Sequence, residues 1–279
     1  MRVTVLGAGG MLGQDLVLTA PEGIELSAFS RRQLDITDSA AVRAHIAGTQ
    51  PQVILNAAAY TAVDDAEDNR EATFRVNGAA VGELGHLAAH VGARVVHFST
   101  DYVFDGRSRK PYAEDAPTQP LNTYGASKLA GELALGETGV RFLVLRTQWL
   151  FGAHGRSFPR TMWERATRHE PTRVVSDQTG RPTYTVDLAR AAWELVRLEV
   201  EGVLHVANSD LATWYDVASC IFSLADSEDL VTPCTTEEYP VAAQRPRYSV
   251  LDTTRAERIL GHALPTWRDA IQRFLRKAP

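Results

Sequence analysis

Arg2-Val3-Thr4-Val5-Leu6-Gly7-Ala8-Gly9-Gly10-Met11-Leu12-Gly13 passes from a short apolar, β-branched segment directly into glycines spaced three apart. The first five residues have the composition of a buried parallel strand. A helical pattern begins at Met11 and runs to about Leu18. In a strand–glycine–helix unit one glycine turns the chain out of the strand, a second lets backbone approach a pyrophosphate, and a third lets helix pack closely on strand. The anion then rests on free N–H groups at the helix N-terminus. Gly7, Gly10 and Gly13, with Met11 and Leu12 between them, are therefore assigned to a dinucleotide. The spacing is Gly-x-x-Gly-x-x-Gly rather than Gly-x-Gly-x-x-Gly. The plain alternative is a tight strand-to-helix turn, and the genuine strand and amphipathic helix flanking the glycines weigh against it.

Outward from this unit, apolar strand-like runs recur at 25–29, 53–56, 94–99 and 141–146, and each gap is long enough for a crossover helix. That alternation predicts an α/β fold, a Rossmann-type doubly wound parallel sheet covered on both faces. Helical patterns lie at 39–47, 70–91 and 123–135, with Asp38 or Ser39 capping the first and Asn122 or Thr123 the last. After Thr147 the regularity weakens. Residues 151–157 are Gly-rich, 176–183 read as a loop, and 230–247 contain three prolines. The reading is a nucleotide-binding domain over residues 1–148 and a smaller, discontinuous substrate-binding domain over 149–279. Segments near 173–175 and 186–206 are expected to return to the sheet. In open α/β sheets ligands bind beyond the carboxyl ends of the strands, so the irregular segments are candidates for a cap over the site.

With 279 residues the chain can bury a sizeable core. Its 44% hydrophobic and 23% charged residues are ordinary for a soluble globule, and no stretch approaches the ~20 apolar residues of a membrane span. A net charge of −5 supplies no basic field for nucleic acid. Met1 leads straight into the first strand without a signal-peptide pattern, so the expected compartment is the cytoplasm. Cys220 and Cys234 lack metal-ligand spacing and are read as reduced thiols. His86 and His90 share a helix face, yet no glutamate follows His86, so a zinc-peptidase motif is absent.

The chemistry sits in His97-Phe98-Ser99-Thr100-Asp101-Tyr102-Val103-Phe104 at a strand end and in Tyr124-Gly125-Ala126-Ser127-Lys128 on the following helix. Reducing a carbonyl needs hydride at carbon and a proton at oxygen. A phenol, with a pKa near ~10, can supply that proton when a cation lowers its pKa. Positions i and i+4 share a helix face, so Lys128 is expected beside Tyr124, favouring its phenolate and reaching the nicotinamide ribose. Thr100 is placed to hydrogen-bond the same carbonyl oxygen. Without a preceding nucleotide fold, a half-buried tyrosine and a solvated lysine would be the better reading.

Across nearly its full length the chain resembles the extended short-chain dehydrogenase/reductases, and within them the dTDP-4-dehydrorhamnose reductase family. The resemblance is carried by the glycine motif, Asn56-Ala57-Ala58-Ala59-Tyr60-Thr61-Ala62-Val63-Asp64, Ser99-Thr100-Asp101-Tyr102-Val103-Phe104-Asp105-Gly106, Tyr124-x-x-x-Lys128 with Gly131-Glu132, Leu145-Arg146-Thr147, and Arg245-Pro246-Arg247-Tyr248-Ser249-Val250-Leu251-Asp252. It implies Thr100, Tyr124 and Lys128 as catalytic triad. The implied oxidoreductase reaction is reduction of the C4 ketone of a dTDP-4-keto-6-deoxyhexose, taking dTDP-4-dehydro-L-rhamnose to dTDP-L-rhamnose. It places Asp101, Tyr102, Val103 and Phe104 among the substrate contacts, and Ala57, Ala58 and Ala59 beside the cofactor. Related nucleotide-sugar dehydratases carry Asp-Glu after the threonine. Here the pair is Asp101-Tyr102, which leaves dehydration without an obvious catalyst.

An acidic residue at the end of the second strand favours NAD, and a basic one accommodates a 2′-phosphate. This chain has Ser30-Arg31-Arg32, so NADPH is the expected donor, with NADH use left open and Asp35-Ile36 near the adenine. For the substrate diphosphate the forked guanidinium groups of Arg245 and Arg247 are candidates, joined by Gln178 and Arg181. Trp149 and Phe158 match family positions lining the sugar or thymine pocket, with core packing as the plain alternative. Some family members are magnesium-dependent homodimers. Asp15 and Asp187 occupy comparable positions, but both are Asp where Glu is expected and no third ligand is evident, so Mg2+ is doubtful and no metal residue is assigned. The rival readings are a sister reductase for another dTDP-4-keto sugar, of the dihydrostreptose or antibiotic deoxysugar type, and a non-catalytic regulatory subunit.

Overall fold

β1 (Arg2–Leu6), β2 (Glu25–Phe29), β3 (Val53–Asn56), β4 (Arg94–Thr100) and β5 (Phe142–Thr147) pair side by side in one parallel sheet, completed by the strand Gly202–His205. The computed structural model describes residues 1–276. Reading across the sheet, the order is Gly202–His205, β5, β4, β3, β1, β2. The chain therefore reverses its winding direction at β1, which lies between β2 and β3, and a crevice opens at the carboxyl ends there. Register decides what meets at that edge. Leu6 pairs with Asn56, Asn56 with His97, and Thr100 with Thr147.

Strand side chains alternate between the two faces, and each face has its own core. Val3, Val5, Leu55, Leu143 and Leu145 pack on Leu188 and Trp193 of the helix Thr185–Arg197. Ile54, Val95 and Val144 pack on Ile46, Leu84 and Leu135 on the other side. The helices begin where local chemistry starts them. The Asp38 side chain accepts the Ala41 N–H at 3.0 Å for α2 (Ser39–Thr49), and the Asn122 side chain accepts the Gly125 N–H at 2.8 Å for Thr123–Gly136.

Two expectations need correction. The strand Thr172–Val175 does not join the main sheet; it pairs with Val231–Cys234 in a separate two-stranded sheet. Its partner lies more than fifty residues away, in a stretch whose prolines read as loop. The region 70–91 is not one regular helix. It is Arg70–Phe74, a π-helical turn at Arg75–Ala79, and then Ala80–His90. A third core, with Phe151, Met162, Tyr184, Phe222, Trp267 and Phe274, holds the remaining elements together. Among the described residues no helix is long and apolar enough to cross a membrane.

Candidate active site

Gly7 and Gly13 form a cradle that only glycine permits at those two positions. Gly7 holds φ at +79°, and a Cβ there would lie 2.5 Å from the backbone nitrogen of Ala58. A Cβ on Gly13 would lie 2.1 Å from the Gly7 carbonyl oxygen. The helix α1 (Met11–Leu18) thus starts flush against the strand end, and no side chain caps its first N–H groups, which stay available to an anion. Beside it lies a cavity of about 360 Å³ lined by Gly7, Gly10, Ser30, Arg31, Arg32 and Asp35, with Ile36 and Ala57 to Ala59 also on its wall. The Thr37 N–H holds the Asp35 carboxyl below its ordinary range, with a smaller contribution from Arg31, which pairs with it at 3.1 Å. This donor set, with two guanidinium groups at the rim, fits a dinucleotide bearing a 2′-phosphate.

The second half of the crevice is a cavity of about 460 Å³ where Met11, Leu12 and Gly13 face Thr100, Tyr124 and Lys128. Three distant segments supply these groups, and the π-turn sets their spacing. Buried Asn77, within that turn, bonds both the N–H and the C=O of Tyr60 at 2.8 and 3.0 Å and donates to Ser127 at 3.0 Å. It pins the helix Thr123–Gly136 to the loop after β3. Below Lys128, the buried Glu132–Arg146 pair at 2.7 Å, with Ser99 donating to Glu132, ties the same helix to β4 and β5.

The electrostatics differ from the sequence expectation. Burial, with Asp101 nearby, pushes the Tyr124 phenol up to about 12, while Thr100 pulls it the other way. A lysine-lowered phenol was expected. Lys128 instead donates to the Phe98 carbonyl at 2.7 Å and meets His97 Nε2 at 3.1 Å. Its own burial lowers it to about 8, against the opposing pull of Glu132. His97 is wholly buried, bonded to Asn56 at 3.1 Å, and kept neutral by desolvation and by Lys128. Thr100 donates to Asp101 at 3.0 Å, and burial raises the Asp101 carboxyl to about 7.

Of the substrate candidates, Tyr102 stands edge-on to Tyr124 at 5.8 Å and lines both the catalytic cavity and an adjoining one of about 420 Å³. The latter holds Phe158, Gln178, Arg245 and Trp214. Trp149 stacks on Trp214 at 3.7 Å between the two cavities. Arg245 pairs with Asp64 at 2.8 Å, while Arg247 meets Glu237 at an exposed position on a third cavity. Three candidates are displaced. Val103 and Phe104 are fully buried in a core with Tyr112 and Leu251, because a 3-10 turn at Asp101–Val103 rotates them inward. Arg181 turns from the cavities to Thr253 at 3.2 Å. Asp15 accepts from Thr185, and Asp187 is held by Arg273 and Asn208, so both are engaged within the chain. Among the described residues no group of three or more His, Cys, Asp or Glu could hold a metal ion. Asn77 escaped the sequence reading, and His97, though part of the strand-end run, was given no role there, because nothing local marks a buried positioning residue.

A family model described as RmlD substrate binding domain matches residues 1–279. A Streptomyces antibioticus protein named probable dTDP-4,6-dihydroxy-2-methyloxan-3-one 4-ketoreductase is 44% identical, over 98% of this chain and 94% of its own. A Mycolicibacterium smegmatis dTDP-4-dehydrorhamnose reductase is 40% identical, over 97% and 84%. The crystal structure of a Bacillus anthracis dTDP-4-dehydrorhamnose reductase in complex with NADP superimposes with a TM-score of 0.95 at 35% identity, covering 99% of both chains.

Proposed function

We propose, since this chain belongs to the RmlD substrate binding domain family, that it reduces the C4 ketone of a dTDP-4-keto-6-deoxyhexose with NADPH, converting dTDP-4-dehydro-L-rhamnose to dTDP-L-rhamnose. The observation that carries this is the meeting of Thr100, Tyr124 and Lys128 in the cavity that also contains the uncapped start of α1. When bound, NADPH supplies the hydride that adds to C4. Tyr124, protonated throughout the neutral range, gives its proton to the ketone oxygen as negative charge develops there. The Thr100 hydroxyl orients the same oxygen. Lys128, cationic below about pH 8, offers charge to the phenolate left behind. Residues 1–148 are assigned to the dinucleotide, with the segment 186–206 returning to the same sheet through Gly202–His205, while Phe158, Gln178, Trp214 and Arg245 are assigned to the nucleotide sugar. The cytoplasm is the compartment we assign.

Tyr102 supports reduction over dehydration. Burial and Asp101 raise its phenol above the ordinary range, so it offers no base at neutral pH where a dehydratase would have glutamate. The purified protein is expected to oxidise NADPH with dTDP-4-dehydro-L-rhamnose and to form no 4-keto-6-deoxy product from dTDP-glucose and NAD. Product identification checks both arms; turnover of dTDP-glucose would overturn the assignment. A second reading, a sister reductase for another dTDP-4-keto sugar, is favoured by the 44% identical Streptomyces antibioticus relative, and a D-configured one by a 42% identical dTDP-4-keto-6-deoxy-D-glucose reductase of Streptomyces niveus. Faster NADPH oxidation with the D-configured ketone would select it.

Arg31 and Arg32 assign the phosphate preference. Replacing both by alanine is expected to raise the KM for NADPH at least roughly tenfold and leave that for NADH nearly unchanged, because a charge-assisted contact contributes ~1.5–3 kcal/mol. Equal effects on both cofactors would place the arginines outside the adenosine pocket.

A further inference from the structure

Thr100 ends β4 with one hydroxyl proton, and the structure commits it. Its Oγ1 donates to Asp101 Oδ1 at 3.0 Å and accepts the Tyr102 N–H at 3.2 Å. A hydroxyl has a single proton to give and two lone pairs with which to accept. When Asp101 is ionised, and so an acceptor only, the carboxylate holds that proton and Thr100 has none for a ketone oxygen in the cavity it lines. When Asp101 is protonated the bond reverses. The carboxyl then donates to Thr100 Oγ1, which still accepts from Tyr102, and the threonine proton turns to the cavity.

The surroundings favour the protonated form. Asp101 is 1% exposed and its Oδ2 has no hydrogen-bond partner among the described residues, while the neighbouring Ser249 hydroxyl is likewise buried and unpaired. A carboxylate left there would bear the full cost of lost hydration, which a neutral acid largely avoids. The titratable and charged groups around it are Tyr102 on its own turn, Tyr124 and Lys128 on the helix Thr123–Gly136, Arg156 on the cavity wall, and Asp64 with Arg245 beyond Tyr102. Lys128 spends its ammonium on the Phe98 carbonyl and His97, and Arg245 is paired with Asp64. Burial accordingly raises the carboxyl to about 7, against the pull of the Ser249 and Thr100 hydroxyls. We infer that Asp101 is a positioning residue whose protonated carboxyl turns the Thr100 hydroxyl toward the ketone oxygen, and whose ionised form withdraws it. This rests on the reading of the site as a reductase with Tyr124 as proton donor. No proton leaves Asp101 in the reaction. Tyr124 supplies the one transferred, and Asp101 sets the direction of the hydrogen bonds beside it without needing to touch the sugar.

The test is the pH dependence of single-turnover NADPH oxidation with saturating dTDP-4-dehydro-L-rhamnose. The protonated form is the active one, so the wild-type rate should fall as pH rises through about 7, toward the ~10²–10³-fold lower rate of a site missing one donor to the developing oxyanion. Loss of the Lys128 charge adds a second fall centred on about pH 8. Asp101→Asn, whose carboxamide donates to Thr100 at every pH, should keep only the lysine's fall. Its rate relative to wild type should therefore rise about tenfold per pH unit above about 7, with KM for the keto sugar following no such trend. A ratio that is flat with pH overturns the inference. So does a pH trend confined to KM, which would assign the Asp101 charge to substrate binding. Wild type decides alone if the asparagine variant does not fold, because a rate that stays level up to the lysine's fall overturns the inference as well. Wild type that reduces no keto sugar at any pH would overturn the reductase reading itself, a failure distinct from that of the Asp101 role.

Discussion

Tyr124→Phe is expected to lower turnover by ~10²–10⁴-fold while leaving NADPH affinity within a factor of about two, the loss typical of a positioned acid. The change removes one hydroxyl and little else. The Tyr102–Tyr124 edge-to-face contact involves the rings, and Thr100 keeps its bond to Asp101, so packing in the cavity survives. Lys128→Met should behave differently and impair both turnover and cofactor binding, because the proposed mechanism gives the lysine both the ribose and the phenolate. Single-turnover reduction and NADPH titration on the two variants separate these effects. A phenylalanine variant retaining more than about a tenth of wild-type turnover would remove Tyr124 from the role of proton donor.

Gly13→Ala is expected to abolish measurable NADPH binding and to lower the unfolding midpoint. The added Cβ would lie 2.1 Å from the Gly7 carbonyl oxygen and 2.7 Å from the Ala8 Cα, both backbone atoms that cannot rotate aside. Either α1 tilts away from β1 or the 7–13 loop opens, and each displaces the uncapped N–H groups to which the proposed function assigns the pyrophosphate. Overpacking of this kind typically costs ~1–3 kcal/mol. Gly10→Ala is the control. Its nearest contact is 3.3 Å, so a shift of a few tenths of an ångström accommodates it and stability should change little. Thermal melts with and without NADPH read both outcomes. Equal ligand-induced stabilisation of Gly13→Ala and wild type would show that the loop does not hold the pyrophosphate.

The strand–glycine–helix unit and the placing of Tyr124 with Lys128 on one helix were legible in the chain because their determinants are local. A strand, a turn that needs φ at +79° at Gly7, and a helix start at Met11 are set within a dozen residues. The i,i+4 spacing of Tyr124 and Lys128 puts both on one helix face whatever the rest of the molecule does. The apolar runs likewise predicted a parallel sheet, since strands buried on both faces must be apolar throughout.

What depends on partners far along the chain was decided only by the tertiary structure. Thr172–Val175 found Val231–Cys234 instead of the main sheet, Arg181 found Thr253, and the turn after Thr100 took Val103 and Phe104 into a core completed by Leu251. The π-turn that lets Asn77 hold the helix Thr123–Gly136 has no sequence signature at the level of periodicity. The charge states are the sharpest case. Helical spacing placed a cation beside Tyr124, yet burial raised the phenol to about 12 and lowered Lys128 to about 8, with His97 and the Phe98 carbonyl taking the lysine's hydrogen bonds. Desolvation is a property of the whole surrounding shell, assembled here from β3, β4, β5 and the helix Thr123–Gly136, and no short window of residues contains it.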